Sequence, residues 1–436
     1  LKDSCLIVEA IDSAQSLNSY FSQQSVRPAK KNFFREKIAL ISQLAQLISR
    51  LHHNGVYYRD LHGGNILCRN NITGLAELFL VDTEKVRFVA RMSTGKRVRD
   101  LAMLYNSIFV EINPTWVKFL KIYLEEEKNF NIHWKNLFRK TEKVSRAFRE
   151  RHIKSRSKRC LKKTTSFGIK TVENKTVYFR KEFPEAVLQQ ALDEIKRFKN
   201  EDKNGTIGKA GKIEMYRIII PDNPLYPSLW VREYRYTIME RVKSLTGFSP
   251  GKSDWFNSNG LLVRKVPAPL PLALVEEKGI MGIQSSLIIT EDLSSCDRLD
   301  VYILKHLQPE NQKTAFSRKI HFVHGLAKSF NQLYDKKVWP KKVRAENIFV
   351  NKTDENSWCF YFGNVNQITF NRPISSDKKL MNLIHFNTTI PFEVGQKDRL
   401  RFLFYFLRFR PRKEKKAFVR KILGANKSTF HYKATN

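Results

Sequence analysis

Two hydrophobic rhythms run along the chain. IALISQLAQLISRLHHNGV (38–56) repeats apolar residues every three to four positions, which predicts a helix with one buried face. ELFLVDTEKVRF (77–88) is a short apolar run ending in an acid, which predicts a buried strand. The middle of the chain changes character. TSFGIKTV, KTVYFRKEF, KIEMYRIII and SLWVREY are runs rich in β-branched and aromatic residues, so residues 164–285 are expected to be mostly strand. NPLYP turns one run into the next. SDWFNSNGLLVRK has helical spacing and predicts the one helix of this region, and the prolines of VPAPLPLALVEEK end it before another strand. Gly205, Gly208 and Gly211 read as turn residues in a polar loop.

The same pattern occurs twice. Shifted by 282 residues (342 minus 60), LIVEAIDSAQSLNSYF falls on IITEDLSSCDRLDVYI, and LISRLHHNGVYYRDLHGGNIL on SFNQLYDKKVWPKKVRAENIF. The same shift lays ELFLVDTEKVRF on CFYFGNVNQITF and RDLAMLYNSIFVEI on MNLIHFNTTIPFEV, without a gap. Matched positions are mostly apolar, as a shared core requires. A period this long means two related domains rather than a solenoid. Copy one spans 1–148, a basic linker or helix end 149–163, and copy two a strand-rich lobe 164–285 followed by a lobe 286–436 that matches copy one.

Composition adds bounds. Of 436 residues, 42% are hydrophobic and 28% charged, enough for a sizeable core. No apolar run is long enough to span a bilayer, and acids interrupt the apolar start, which argues against a signal peptide. Leu1 in place of Met predicts a protein that begins further upstream. Cys5, Cys68, Cys160, Cys296 and Cys359 are far apart and read as free thiols. The net charge of +36 favours anionic partners: nucleic acid, acidic lipid headgroups or phosphorylated glycans. Neither an RNP motif nor zinc-finger spacing occurs, which argues against nucleic acid.

The densest chemistry is Tyr58-Arg59-Asp60-Leu61-His62-Gly63-Gly64-Asn65-Ile66-Leu67, followed by Leu78-Phe79-Leu80-Val81-Asp82. Phosphoryl transfer needs a carboxylate to orient the acceptor hydroxyl and take its proton, and oxygen ligands to hold Mg2+ across the phosphates of ATP. Asp60 fits the first role, and Asn65 and Asp82 fit the second. Copy two has Lys342 for Asp60, Asn364 for Asp82 and Asn382 for Asp100, and keeps Asn347 for Asn65. A protonated Lys offers no lone pair, so this set lacks a base.

These residues resemble the protein-kinase-like superfamily, and within it the lipopolysaccharide kinase (Kdo/heptose kinase) family. RDLHGGNIL, the LVDTEKVRF strand without Gly after its acid, VREYRY and LLVRKVPAPLPLALVE carry the likeness. It implies an α+β, protein-kinase-like fold: a mostly helical C-lobe in copy one, whose small lobe this chain lacks, then a complete two-lobed second domain. By position it makes Asp60 the base, Asn65 and Asp82 the Mg2+ ligands, Glu9 a hinge residue beside adenine, and Arg59 and Asp100 structural supports. His62 stands where protein kinases have Lys, and Tyr58 where they have His. In copy two, Arg232 replaces the small-lobe Lys, and its helix partner is at best Asp254. The resemblance implies phosphate transfer from ATP to a sugar hydroxyl of the lipopolysaccharide inner core. The acceptor would be an anionic glycolipid, met at the inner face of a Gram-negative inner membrane whose acidic surface suits the charge. Copy two then reads as a pseudokinase. The alternatives are a non-enzymatic scaffold and a kinase with another small-molecule or protein acceptor.

Overall fold

The computed structural model describes residues 10–24, 31–70, 76–109, 113–127, 130–200, 206–210, 213–307, 313–363, 365–370, 372–408, 412–413 and 415–422. It divides into two units, Leu1–His152 and Ile153–Asn436.

In the first unit, β1 (Gln15–Ser16) leads into α1 (Leu17–Gln24) and the long helix α2 (Lys31–His53). Next come β2 (Val56–Tyr57), the hairpin of β3 (Ile66–Asn70) and β4 (Ala76–Leu80), and β5 (Arg87–Phe88). Helix α3 (Thr94–Leu104) passes into a π-helical turn, Tyr105–Phe109, followed by α4 (Asn113–Glu126) and α5 (Trp134–Ser157). The helical spacing in α2 puts Leu40, Ile41, Leu44, Ala45 and Ile48 on one buried face, in a core with Trp116, Phe119, Leu120 and Tyr123 of α4. Burying each large side chain contributes about 1.5–3 kcal/mol, so packing on α4, more than helix propensity, holds α2.

The unit boundary falls inside α5. The basic stretch is helical to Ser157 and closes in a 3-10 turn, Arg159–Leu161, with Cys160 buried. The second unit continues with the hairpin β6 (Phe167–Val172) and β7 (Lys175–Arg180), helix α6 (Glu185–Asn200), and strands β8 (Thr206–Ala210), β9 (Ile213–Ile219) and β10 (Ser228–Arg235). Helices α7 (Ile238–Ser244) and α8 (Pro250–Val263) precede the hairpin β11 (Pro271–Gly279) and β12 (Gly282–Glu291). These strands form one antiparallel sheet in the order β6-β7-β11-β12-β10-β9-β8.

Two expectations for this region need correction. PEAVLQQALDEIKRFKN forms α6, which buries Val187, Leu188, Ala191 and Ile195 on one face, so the region has more than one helix. Gly208 lies in β8 at a register shift against β9 and is not a turn residue, while Gly205 and Gly211 fall outside the described residues.

The remainder is β13 (Asp297–Arg298), α9 (Leu299–His306), α10 (Lys313–Asp335), β14 (Val338–Pro340), β15 (Ile348–Asp354), β16 (Ser357–Phe362), β17 (Ile368–Phe370), α11 (Ser376–Thr389) and α12 (Gln396–Phe406). Its elements recur at the sequence offset: α1 and α9, α2 and α10, β3 and β15, and α3 and α11 each begin 282 residues apart. Phe322, Val323, Leu326, Ala327 and Phe330 of α10 are buried at the positions equivalent to the α2 face. Among the described residues, no helix is long and apolar enough to cross a membrane.

The turn after the long helix differs between the copies. Gly55 has φ +71, and a Cβ there would lie 2.1 Å from the Val89 carbonyl oxygen. Lys337, 282 residues on, has φ 55, a left-handed conformation unfavourable for a residue with a Cβ. Gly55→Ala is therefore expected to cost about 2 kcal/mol or more, through left-handed backbone and the carbonyl clash. Lys337→Gly is expected to gain about 0.5–1 kcal/mol, since relief of the backbone outweighs glycine's entropy cost. Urea unfolding of the two variants measures both.

Candidate active site

The β3–β4 hairpin brings the sequence-distant residues together. Its register pairs Ile66 with Leu80, so Asn65 before β3 lies beside Val81 after β4, and the Val81 N–H donates to the Asn65 carbonyl at 3.0 Å. Asp82 follows at once, in a left-handed conformation (φ 61). Asn65 is buried, and its Nδ2 donates to the Asp60 carbonyl at 3.2 Å, which leaves Oδ1 as the amide end for a cation. Tyr58 donates its hydroxyl to the Val81 carbonyl. Burial and the nearby charges of Asp82, Asp60 and Asp100 push the Tyr58 phenol up to about 12, so it stays a neutral donor.

Below this loop lies Asp100, wholly buried on α3. Its carboxylate accepts from the Tyr58 N–H at 2.9 Å and the Arg59 N–H at 3.0 Å. Arg59 has φ 70, and this pair of bonds holds the strained turn next to Asp60. His52 Nε2 lies 3.4 Å from Asp100, and His52 Nδ1 lies 2.8 Å from the Tyr123 hydroxyl. Arg97 donates to Tyr123 at 2.8 Å and pairs with Glu127 at 2.8 Å. Gly63 permits close packing on the other side: a Cβ would sit 2.3 Å from the Asn18 amide and 2.9 Å from Ile108.

Asp60 has two basic residues beside it. The Lys85 ammonium is ion-paired with it, and that bond raises the Lys85 pKa. His62 Nε2 lies 3.8 Å from the Asp60 carboxylate, while its Nδ1 accepts from the Gly64 N–H at 3.1 Å. Lys85 was not among the residues expected from sequence. The signal was a cation three positions after the strand-end acid, where a 3-10 turn (Thr83–Lys85) folds it back. Equally unforeseen were His52, Arg97, Tyr123 and Glu127. Arg97 and Asp100 on the buried face of α3, between Val98 and Leu101, were the available clue. Glu9 lies outside the described residues.

The second unit has the same frame and different chemistry. Ile348 pairs with Phe362, and the Gly363 N–H donates to the Asn347 carbonyl at 2.8 Å. Lys342, Arg344 and Asn347 line a small depression there, and Asn364 falls outside the described residues. Asn382 is buried, and its Nδ2 donates to the Pro340 carbonyl at 3.0 Å and the Tyr334 hydroxyl at 3.2 Å. Arg232 pairs at 3.2 Å with Asp254 on α8, which also takes bonds from Tyr234 (2.5 Å) and Ser258 (3.1 Å). Asp254 is thus the helix partner that the sequence left insecure.

Residues 2–123 match the model of the lipopolysaccharide kinase (Kdo/WaaP) family. Over those residues the chain is similar to that family, and the likeness implies a phosphotransferase that uses ATP. A solved structure titled "WaaP in complex with acyl carrier protein" is similar with a TM-score of 0.40 and 13% identity, covering 58% of this chain and 98% of that one. No curated protein matches the sequence.

Two predictions follow from the buried cluster around Asp100. Asp100→Ala leaves two buried N–H groups without an acceptor and is expected to cost about 2–4 kcal/mol, read by urea unfolding. The second concerns pH. Burial lowers the His52 pKa below the ordinary 6.5, against the opposing pull of Asp100. The folded state holds His52 neutral, whereas the unfolded chain protonates it at about 6.5. This contribution is full above that value and is lost as pH falls through the lowered one. The urea midpoint of the first unit is expected to fall from pH about 7 to about 5, and His52→Gln to flatten the slope.

Proposed function

We propose that the first unit transfers the γ-phosphate of ATP to a sugar hydroxyl of the lipopolysaccharide inner core, and that the second unit has lost this activity. The observation that carries the reading is the gathering of Asp60, Asn65 and Asp82 around one hairpin, above a buried brace to the backbone of the Asp60 loop. Asp60 would orient the acceptor hydroxyl and take its proton as the hydroxyl oxygen bonds to phosphorus and the bond to the ADP oxygen breaks. The Asn65 amide oxygen and Asp82 carboxylate are hard oxygen donors of the kind Mg2+ accepts, with phosphate oxygens and waters to complete its shell. Bound there, the ion would neutralise charge on the phosphates.

Lys85 places positive charge beside the acceptor position. An inner-core sugar bearing acidic or phosphate groups is a fitting acceptor for that environment, and its lipid would bring the enzyme to a membrane surface, as the net charge of +36 favours. In the second unit, Lys342 at the Asp60 position supports the pseudokinase reading.

Asp60→Asn is expected to lower turnover by about 10²- to 10⁴-fold with ATP and purified inner-core glycolipid, while Lys342→Met leaves it unchanged. Undiminished transfer by Asp60→Asn would remove Asp60 as the base. Transfer to a protein or aminoglycoside in place of the glycolipid would replace the acceptor.

A further inference from the structure

Helix α7 is inside out. Its apolar residues Ile238, Met239 and Val242, continued by Leu245, follow the spacing of a single helical stripe, yet each exposes between 50% and 70% of its surface. Two polar residues, Arg241 and Ser244, face the protein instead. Ser244 is buried and its hydroxyl accepts from the Ile283 N–H at 2.7 Å, while Arg241 donates to the Tyr236 carbonyl at 3.2 Å. The β11–β12 hairpin tip is pressed onto this same helix. A Cβ on Gly282 would lie 2.3 Å from the Arg241 carbonyl oxygen, so the close approach requires glycine. That tip carries Ile280, which is fully exposed, and Met281, exposed by 58%. Helix and tip together form one protruding apolar surface.

Charge surrounds it asymmetrically. Lys243 and Lys278 are exposed beside the apolar residues. Glu240, the acid of α7, is turned back into the capping box on Thr237. The shape separates the possible partners. A convex apolar tip needs a matching pocket on a protein, but none in the deformable boundary between lipid headgroups and acyl chains. Solvent-facing apolar clusters of this kind mark interaction surfaces, and flanking lysines select an anionic one.

We infer that α7 and the β11–β12 tip are a membrane-docking surface, inserting their apolar side chains among the acyl chains of a bilayer rich in anionic lipid. The inference does not depend on the kinase reading, because docking is measured without nucleotide or acceptor.

The test is sedimentation of the full chain with vesicles of phosphatidylcholine alone or mixed with phosphatidylglycerol. The chain should bind the mixed vesicles more tightly than the neutral ones. Ile280→Ser with Met281→Ser should weaken partition into mixed vesicles by about tenfold or more. Ile238→Ser with Met239→Ser is a second, independent pair, should the first misfold by circular dichroism. Lys243→Glu should weaken mixed-vesicle binding and leave neutral-vesicle binding unchanged. Wild-type partition by either folded pair would overturn the inference. So would a change from dimer to monomer in the serine variants with vesicle binding intact, which would assign the surface to a second copy of the chain.

Discussion

Everything at the first unit's site hangs from one buried carboxylate. An acid in a dry core is unfavourable unless its oxygens are satisfied, and Asp100 is satisfied by the N–H groups of Tyr58 and Arg59. The bond runs both ways: the loop solvates the acid, and the acid holds the loop in a left-handed turn at Arg59 that it would not otherwise keep. The second unit shows what happens when one term of this pairing changes. Pro340 stands at the Tyr58 position and has no N–H to give. A carboxylate at position 382 would face a carbonyl. Asn382 reverses the polarity and donates to that carbonyl, and Tyr334, at the His52 position, takes its second bond. Three substitutions that look like decay in the sequence are one coupled exchange of donors and acceptors.

Arg232 shows the same logic in the sheet. Its guanidinium reaches Asp254 with one nitrogen and the Gly363 carbonyl, at 3.3 Å, with another. A single ammonium would be a less well-shaped bridge between these two acceptors, so Lys would not replace Arg232 neutrally. In this unit the cation is held by a carboxylate on one side and a backbone carbonyl on the other.

The sequence made the apolar frame legible because burial imposes a period. The 282-residue offset shows in the text, and the buried faces of α2 and α10 repeat it position by position. The order of loop, hairpin and acid around Asp60, Asn65 and Asp82 was legible too, since antiparallel register converts sequence spacing into proximity. Helix α6 was missed because its apolar residues are diluted by charge among neighbouring strands. Lys85 and the cluster of His52, Arg97, Tyr123 and Glu127 were missed for a different reason. Contacts between side chains far apart in the chain leave no periodic trace.

The contrast between the lobes bears on why the first retains its acids. Asp82 is exposed, and Asp60 keeps most of its partners at the surface, so neither belongs to the hydrophobic core. Both crowd negative charge around the Tyr58 hydroxyl, and Asp82 does so from a left-handed backbone. Such an arrangement lends the fold little. In the second lobe, the position of Asp60 is a lysine and the apolar core is undisturbed. The frame therefore does not require that acid. In the proposed reaction its presence in the first lobe, with the Asn65 amide beside it, would answer to chemistry on a scaffold that stands without it.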